Sequence, residues 1–304
     1  MIRVAVGPSS LSESLARAVA TGGGVVSDAG EAEVLLWTNP GGAEALSVTL
    51  DQHPAIHWVQ LPWAGIELQV DVVRDHPERV WTCAKGVYAE PVAELGLALL
   101  LAGFRGLGTY ARATKWTGPV GRNLTGASIT ILGGGGITQS LLRLLGPFQC
   151  DVTVVRRQGA KLEGATRIVT PDDLDEAITA ADAVVLALAL TPATAGLIDR
   201  RRLDLLGAQG WLVNVARGRN VVTDDLVAAL QAGAVGGAAL DVTDPEPLPE
   251  GHPLWTFPNV LITPHVGNTP EMAAPLLANR VTENLRRWAA QQPLLGLVDA
   301  AAGY

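Results

Sequence analysis

The chain contains very little cysteine. Its 304 residues include 2 cysteines, Cys83 and Cys150, which lie far apart and form no C-x-x-C pair. This scarcity excludes a disulfide scaffold and paired-cysteine motifs, and it favours a reduced, cytoplasmic setting. The histidines His53, His57 and His76 have no ligand spacing with cysteines or nearby carboxylates, so we predict no metal site.

Long apolar runs and blocks of one charge are also missing. The richest apolar segment, LGLALLLAGF at residues 95–104, is too short to cross a bilayer and predicts a buried helix. The opening MIRVAVG lacks the apolar core of a signal peptide. The net charge is -8, and no basic cluster suggests a nucleic-acid or membrane surface. Small molecules are therefore the expected partners.

Apolar residues, by contrast, are plentiful and follow strand-like and helix-like patterns in alternation. A chain of 304 residues with 48% hydrophobic residues is long enough for two compact units, each with its own core. The first series of predicted strands, interrupted by helical patterns, covers residues 2–6, 33–37, 56–61 and 80–84. This series predicts one α/β unit.

A second series of strands is almost entirely apolar, which is typical of a parallel sheet covered by helices on both faces. Pro91 suits the first residue of the apolar helix, and a long amphipathic helix is predicted from Thr269. We therefore predict one unit from residues 1–94 with 269–304, and a second unit from 95–268. The strands of the second series are predicted at 128–132, 152–156, 166–169, 183–188, 211–216, 237–242 and 260–264.

The second unit opens with the sequence ITILGGGGITQSLLRLLGPF. A strand, a glycine turn and an apolar-periodic helix form the setting in which helix amides bind a phosphate and glycine lets the backbone come close. The spacing is Gly133-x-Gly135-x-x-Thr138, so threonine replaces the third glycine of the dinucleotide pattern. An isolated match would indicate only a flexible turn, but the flanking strand and helix favour phosphate binding.

Two adjacent arginines follow the next strand. A dinucleotide site commonly places an acidic residue there to hold the ribose hydroxyls, whereas this chain has Arg156, 21 positions after Gly135 (156 − 135), and then Arg157. Arginine at that place would attract a 2′-phosphate through charge-assisted hydrogen bonds. The sequence therefore predicts NADP(H) in preference to NAD(H). The alternative is that both arginines point into solvent.

Three further polar residues each follow a predicted strand. Arg217 follows the strand in WLVNVARG, Glu246 follows ALDV, and His265 comes directly after VLITP. Ligands of open parallel sheets bind outside the carboxyl ends of the strands, so residues far apart in sequence can converge there. Taken singly, these could be a surface arginine, a solvated loop acid and a helix-entry histidine. Together with the glycine turn, they predict a catalytic set.

An ordered set of segments extends over nearly the whole length of the chain: AGIELQVD, YAEPVAELGLALLLA, LGGGGI, LALTPATAGLID, NVARG, GAALDV with EPLP and HPLW, and NVLITPHVG. In these segments the sequence resembles the D-isomer-specific 2-hydroxyacid dehydrogenases. It implies an α/β fold of two Rossmann- or flavodoxin-like, doubly wound parallel-sheet domains. The nucleotide domain would be inserted into the substrate domain, with a cleft between them. It also implies a homodimer.

The resemblance assigns roles to the catalytic set. Arg217 matches the family's arginine that binds the substrate carboxylate and keto oxygen, His265 matches its acid/base, and Glu246 matches the acid bonded to the histidine. Reduction of a 2-oxo acid needs a hydride at the carbonyl carbon and a proton at its oxygen, which a histidine can supply. Formate is disfavoured, because formate-oxidising members have glutamine as the histidine's partner.

Further site residues follow from the same resemblance. The WAGIE segment looks like the loop whose backbone amides, those of Ala64 and Gly65, hold the substrate carboxylate, with Trp63 as a wall of the pocket. Lys85 would add positive charge or would simply be exposed, and His252 is expected to be a structural loop residue. The residues expected to contact the cofactor, besides Gly133, Gly135, Arg156 and Arg157, are Gly136, Ile137, Thr191, Val215, Asp241 and Gly267.

Two other classes of function remain open at this point. A nucleotide-sensing, non-catalytic binding protein could keep this fold, and a methyltransferase could share the glycine turn. The full set of Arg217, Glu246 and His265 favours catalysis over both. The expected substrates are small unphosphorylated 2-oxo acids such as glyoxylate or hydroxypyruvate, because the first unit shows no arginine cluster that would bind a phosphate.

Overall fold

The structure, a computed structural model, describes residues 1–8, 12–39, 41–157 and 161–300. It divides into two compact units, Met1–Tyr88 with Thr269–Tyr304, and Ala89–Asn268. The second unit begins at Ala89, six residues before the expected boundary at 95 (95 − 89), and Ala89 is also the first residue of the apolar helix that was expected from Pro91. Pro91 still lies in the first helical turn, where its missing N–H has no intrahelical partner to lose.

The β-strands are short and mostly buried. In chain order they are β1 (Ile2–Gly7), β2 (Gly24–Val26), β3 (Val34–Trp37), β4 (Trp58–Gln60), β5 (Val80–Thr82), β6 (Ser128–Leu132), β7 (Asp151–Val155), β8 (Arg167–Val169), β9 (Ala183–Leu186), β10 (Trp211–Asn214), β11 (Gly237–Leu240) and β12 (Val260–Ile262).

The helices lie between the strands along the chain. In chain order they are α1 (Glu13–Thr21), α2 (Ala43–Gln52), α3 (Val70–Asp75), α4 (Ala89–Phe104), α5 (Leu107–Arg112), α6 (Gly136–Leu145), α7 (Leu174–Thr179), α8 (Arg200–Leu206), α9 (Thr223–Gln231) and α10 (Pro270–Ala289). Within the described ranges, none of them has both the length and the apolar content needed to cross a membrane.

The first unit is built on a sheet with the order β2-β1-β3-β4-β5, in which every pair is parallel. This order is the flavodoxin-like one, whose direction reverses between β1 and β3. α10 returns to this unit, where Val281 and Leu285 join a core with Val4, Leu36 and Trp58. Thr269 caps that helix, because its side chain accepts a hydrogen bond from the Met272 amide.

The second unit has the sheet order β12-β11-β10-β9-β6-β7-β8, again parallel throughout. Numbered within this unit, the order reads 3-2-1-4-5-6 with one further strand, so it reverses between β6 and β9. Apolar side chains form a separate cluster on each face of the sheet. The predicted fold class, two α/β units on parallel sheets, is confirmed.

The strand predictions differ from the structure mainly at the ends and at one edge. β6 occupies the predicted range 128–132, whereas β9, β10 and β11 each end two residues before the apolar run does. β2 was missed because it is a three-residue edge strand whose two valines, Val25 and Val26, are each 42% exposed. A strand that buries so little has no apolar pattern to reveal it.

Candidate active site

A glycine turn follows β6, where the order of the second sheet reverses. Gly133 has a φ of +114°, and a Cβ built on it would lie 2.2 Å from the Ala187 carbonyl oxygen. The Gly133 amide donates to the Val155 oxygen over 2.9 Å. Only glycine fits this position, because the turn needs a left-handed backbone and lies directly against the chain leaving β9.

Helix α6 starts immediately after this turn, and no capping side chain accepts a hydrogen bond from its first amide groups. Gly135 is its N-cap and makes no side-chain hydrogen bond, and the first turn contains no acidic residue. The first intrahelical bond runs from the Gln139 amide to the Gly135 oxygen, so the Gly136 and Ile137 amides have no intrahelical acceptor. Gly133 lies close against the neighbouring backbone, and the turn of residues 133–137 with its open amides, here called the phosphate cradle, fits the phosphates of a dinucleotide.

Thr138, which stands where the third glycine was expected, is completely buried. Its hydroxyl donates to the Gly133 carbonyl oxygen over 2.9 Å. The replacement therefore leaves the turn intact and adds a side-chain bond that ties the helix to its first glycine. The bond gives the Gly133 carbonyl oxygen a side-chain partner.

Arg156 directly follows β7, next to the glycine turn. Its amide donates to the Val169 oxygen, which holds its backbone at the tip of the sheet. Its half-buried side chain lies against the Cα of Gly134, since a Cβ built there would be 2.9 Å from both Cδ and Nε of Arg156. The neighbouring Arg157 is exposed. One arginine of the pair is thus placed beside the phosphate cradle by direct packing.

The turn after β10 presents Arg217, and two asparagines fix its backbone. The Asn214 side chain donates to the Arg217 oxygen (2.9 Å) and accepts from the Ala216 amide (3.0 Å). The Asn220 side chain accepts from the Arg217 amide over 3.1 Å. Gly218 allows the close approach of the next loop, because a Cβ there would lie 1.9 Å from the Thr243 oxygen.

Glu246 and His265 are in direct contact, although they follow different strands. His265 Nδ1 and Glu246 Oε1 are 2.6 Å apart, and the Glu246 carboxylate also accepts from the Thr243 amide over 3.3 Å. Their side chains are 49% and 41% exposed, so solvent and small ligands reach both. Because Nδ1 faces the carboxylate, Nε2 is the ring nitrogen that this contact leaves open. β10, β11 and β12 are neighbours, so Arg217, Glu246 and His265 all follow adjacent strand ends.

The turn that carries His265 is organised by a buried carboxylate. Asp241 is 3% exposed and accepts from the Thr263 hydroxyl (2.6 Å), the Val266 amide (2.9 Å) and the Gly267 amide (3.0 Å). Its own carbonyl oxygen accepts from the His265 amide over 2.8 Å. These bonds hold His265 at a φ of +54°, a backbone conformation that non-glycine residues rarely adopt.

Comparison with known proteins agrees with this arrangement. Residues 97–267 match the family described as D-isomer specific 2-hydroxyacid dehydrogenase, NAD binding domain. The chain belongs to the D-isomer specific 2-hydroxyacid dehydrogenases. Membership in this family confirms the expected class of enzyme, an NAD(P)-dependent dehydrogenase, and it disfavours a non-catalytic nucleotide sensor or a methyltransferase.

Individual relatives of this dehydrogenase cover most of the chain. A protein encoded in the proB 3′ region of Corynebacterium melassecola is 38% identical over 82% of this chain and 84% of its own length. Glyoxylate/hydroxypyruvate reductase A of Yersinia enterocolitica is 31% identical over 79% of each chain. The crystal structure of a D-isomer specific 2-hydroxyacid dehydrogenase from Xanthobacter autotrophicus, in complex with NADPH and MES, is 28% identical, with a TM-score of 0.86 over 100% of this chain and 99% of that chain.

The remaining expected cofactor residues of this dehydrogenase lie around the same sheet edge. Thr191 is in the loop after β9, where its amide donates to the Thr194 hydroxyl over 2.8 Å. Val215 is 6% exposed and packs into the core at the end of β10. Gly267 packs against Asp241, since a Cβ on it would lie 3.1 Å from Oδ2. Asp241, expected to meet the nicotinamide amide, has both carboxylate oxygens bonded within the His265 turn.

The expected substrate loop lies in the first unit, after β4. Ala64 and Gly65 follow Trp63, whose ring centroid lies 5.7 Å from that of Tyr88. The Trp63 carbonyl oxygen accepts a hydrogen bond from the Ala84 amide. The Tyr88 hydroxyl donates to the Pro62 oxygen over 2.7 Å, and burial raises the pKa of Tyr88, so this donor keeps its proton. The loop backbone is thereby held from two sides.

Two softer expectations also have a definite place in the structure. Lys85 is exposed, and its carbonyl accepts from Arg280 over 3.1 Å. His252 caps a short 3-10 turn, Pro253–Trp255, by accepting from the Leu254 amide, which is the structural role expected for it. Among the residues that the structure describes, no group of three or more histidine, cysteine or carboxylate side chains could hold a metal ion.

The sequence analysis missed residues that support the backbone and side chains of the expected site. Gly134, Asn214 and Asn220 contact the backbone or side chains of expected site residues, whereas Gly218 lies against the backbone of Thr243. None of the four carries chemistry of its own. Asn214 and Asn220 are the first and last residues of the NVARGRN segment, and asparagines at the two ends of a turn are a signal for backbone bonding. Gly134 gave no separate signal within a run of four glycines.

Proposed function

We propose that this dehydrogenase reduces small 2-oxo acids of the glyoxylate and hydroxypyruvate type to D-2-hydroxy acids, with NADPH as the preferred reductant. The observation that carries the proposal is the 2.6 Å contact of His265 Nδ1 with Glu246 Oε1, in the same unit as the glycine turn. The name of the Yersinia relative, a glyoxylate/hydroxypyruvate reductase, supports the substrate class.

The three residues divide the chemistry of carbonyl reduction among them. Bound NAD(P)H supplies the hydride that adds to the carbonyl carbon. His265 donates a proton from Nε2 to the carbonyl oxygen, so the product is the neutral alcohol. Glu246 holds the imidazole through Nδ1, and Arg217 binds the substrate carboxylate and the oxygen on which negative charge develops. Ala64 and Gly65 would contribute backbone amides to the same carboxylate.

The cofactor preference rests on Arg156 and Arg157. Arg156 and Arg157 follow β7 in the sequence, at the place where a carboxylate would repel a 2′-phosphate. The Arg156 side chain lies against Gly134, in the turn that leads to the N-terminus of α6. A guanidinium in this place offers charge-assisted hydrogen bonds to a phosphate. The NADPH bound to the Xanthobacter relative supports the same preference.

The assembly and the setting of the enzyme stay predictions. We propose a homodimer and a cytoplasmic location. Exposed apolar residues of the second unit, Leu107 (52% exposed), Trp116 (101%) and Val120 (49%), support self-association of that unit. Light scattering of the purified protein gives the number of chains directly, and a monomer at micromolar concentration would contradict the dimer.

A substrate panel tests the proposal. Purified protein is incubated with glyoxylate, hydroxypyruvate and longer 2-oxo acids, each with NADPH and with NADH, and the parent is compared with Arg156→Asp. We expect turnover with the small acids, a preference for NADPH in the parent, and loss of that preference in the variant. Absence of cofactor oxidation with every acid would support the non-catalytic alternative, and equal use of both cofactors by the parent would refute the phosphate-binding role of Arg156.

A further inference from the structure

Gly134 differs from the glycines on either side of it in what a side chain would meet. At Gly133 a Cβ would collide with backbone, and at Gly135 it would meet nothing within 4 Å. At Gly134 it would meet one side chain, with the Arg156 atoms Cδ and Nε at 2.9 Å and Cζ at 3.2 Å. Gly134 is not among the glycines with positive φ, so its backbone conformation is open to other residues.

The register of the sheet explains why these two residues meet. Leu132 pairs with Val155 at the ends of β6 and β7, so the chain leaves both strands at the same level. Arg156 extends its side chain over the turn and occupies the space that a side chain at position 134 would fill. The guanidinium carbon is therefore held within reach of the turn that leads into α6.

The electrostatic setting of this guanidinium points to an anionic ligand. The N-terminus of a helix carries partial positive charge, and cations are favoured at the opposite end. The Arg156 side chain nevertheless contacts Gly134, the residue just before the N-cap Gly135 of α6. Its positive charge therefore lies near the end of the helix that disfavours cations. Within the described ranges, its side chain makes no hydrogen bond or ion pair, whereas Arg143 on the same helix pairs with Glu90 at 2.6 Å. A phosphate would relieve this uncompensated positive charge.

We propose that Gly134 is a cofactor-specificity residue, which selects for a 2′-phosphate by leaving room for Arg156 to lie across the turn. This inference rests on the proposed preference for NADPH and goes beyond it. Arg156 supplies the charge, and Gly134 places that charge. A larger residue at position 134 pushes the flexible arginine stem aside without disturbing Gly133 or the helix amides.

Direct binding tests this inference without turnover. Isothermal titration of NADP⁺, NAD⁺ and adenosine 2′,5′-bisphosphate is compared for the parent, Gly134→Ala and Arg156→Ala. We expect Gly134→Ala to weaken NADP⁺ and the bisphosphate by about tenfold, the effect of losing one charge-assisted hydrogen bond, while NAD⁺ changes by less than about twofold. Thermal unfolding should be unchanged, because the added methyl group displaces only a flexible side chain.

Two controls separate this role from general damage. Gly146→Ala makes the same substitution at the other end of α6, in a helical conformation where a Cβ meets nothing within 4 Å, and it should leave all three affinities unchanged. In the Arg156→Ala background, Gly134→Ala should have no further effect, because the two changes act through one contact.

The outcomes also separate the inference from the proposed function. A parent that prefers NADP⁺ together with a Gly134→Ala variant that keeps this preference overturns the inference alone. Equal loss of NADP⁺ and NAD⁺ in Gly134→Ala also overturns it, since the methyl group would then damage the cradle itself. A parent that binds both cofactors equally overturns the proposed preference and the inference with it.

Discussion

Replacing Asp241 by asparagine is expected to weaken both the second unit and the placement of His265. The carboxylate is 3% exposed and accepts from one hydroxyl and two backbone amides. Asparagine has one acceptor oxygen and an NH₂ group, so at least the Val266 or the Gly267 amide would face a donor. That amide would be buried without an acceptor.

The size of the effect follows from the bond that is lost. A hydrogen bond to a charged group contributes about 1.5–3 kcal/mol, and a buried unsatisfied donor costs a similar amount to leave unpaired. For a unit of this size, 1 kcal/mol shifts the melting temperature by about 2–4 °C, so a fall of roughly 3–12 °C is expected. The rate constant kcat should fall by about a hundredfold, because relaxation of the His265 turn misplaces the proton donor by a fraction of an ångström or more.

The measurements are thermal unfolding of the protein without cofactor and steady-state kinetics with glyoxylate and NADPH. Asp199→Asn is the matched control, because Asp199 caps α8 by accepting from the Arg202 amide and asparagine caps equally well. An Asp241→Asn protein that melts like the parent without cofactor would refute this reasoning. It would favour the simpler role, contact with the nicotinamide amide, that the sequence suggested.

Two further predictions concern the turn and the catalytic pair. Thr138→Val removes the hydroxyl that bonds the Gly133 oxygen, so it should lower the free energy of unfolding by about 1 kcal/mol in calorimetry and raise the KM for NADPH. Thr138→Ser keeps the hydroxyl and should leave both values close to those of the parent; equal behaviour of the two variants would contradict this. Glu246→Ala removes the partner of His265 and should lower kcat by roughly ten- to a hundredfold. The melting temperature should change little, because both side chains are half exposed, and an unchanged kcat would show that the contact does not position the acid.

The sequence predicted where the expected site residues lie along the sheet better than it predicted which contacts hold them. Apolar runs bounded by glycine or polar residues located the strands of the second unit, although several runs continue past the strand ends, and with those strands the glycine turn, Arg217 and His265. Those predictions needed only local patterns and the rule that ligands bind at the carboxyl ends of parallel strands. The order of the motifs along the chain was enough to indicate the family.

The supporting contacts could not be predicted, because they join segments that are distant in sequence and leave no periodic pattern. The bonds from Asp241 to residues 263–267 depend on the side-by-side placement of β11 and β12. The packing of Arg156 on Gly134 depends on the register of β6 with β7. A threonine at position 138 departs from the dinucleotide pattern in the sequence, and only its bond to Gly133 shows what it contributes.

The two asparagines around Arg217 have a consequence for substrate binding in the role proposed for this arginine. Because Asn214 and Asn220 bond the backbone on both sides of the arginine, its Cα is fixed before any ligand arrives. The ordering cost of binding is then confined to the torsions of one side chain, about 2 kcal/mol at most. A two-carbon acid such as glyoxylate offers few contacts with which to offset that cost. A backbone that is already ordered around the arginine therefore favours the binding of such a small ligand.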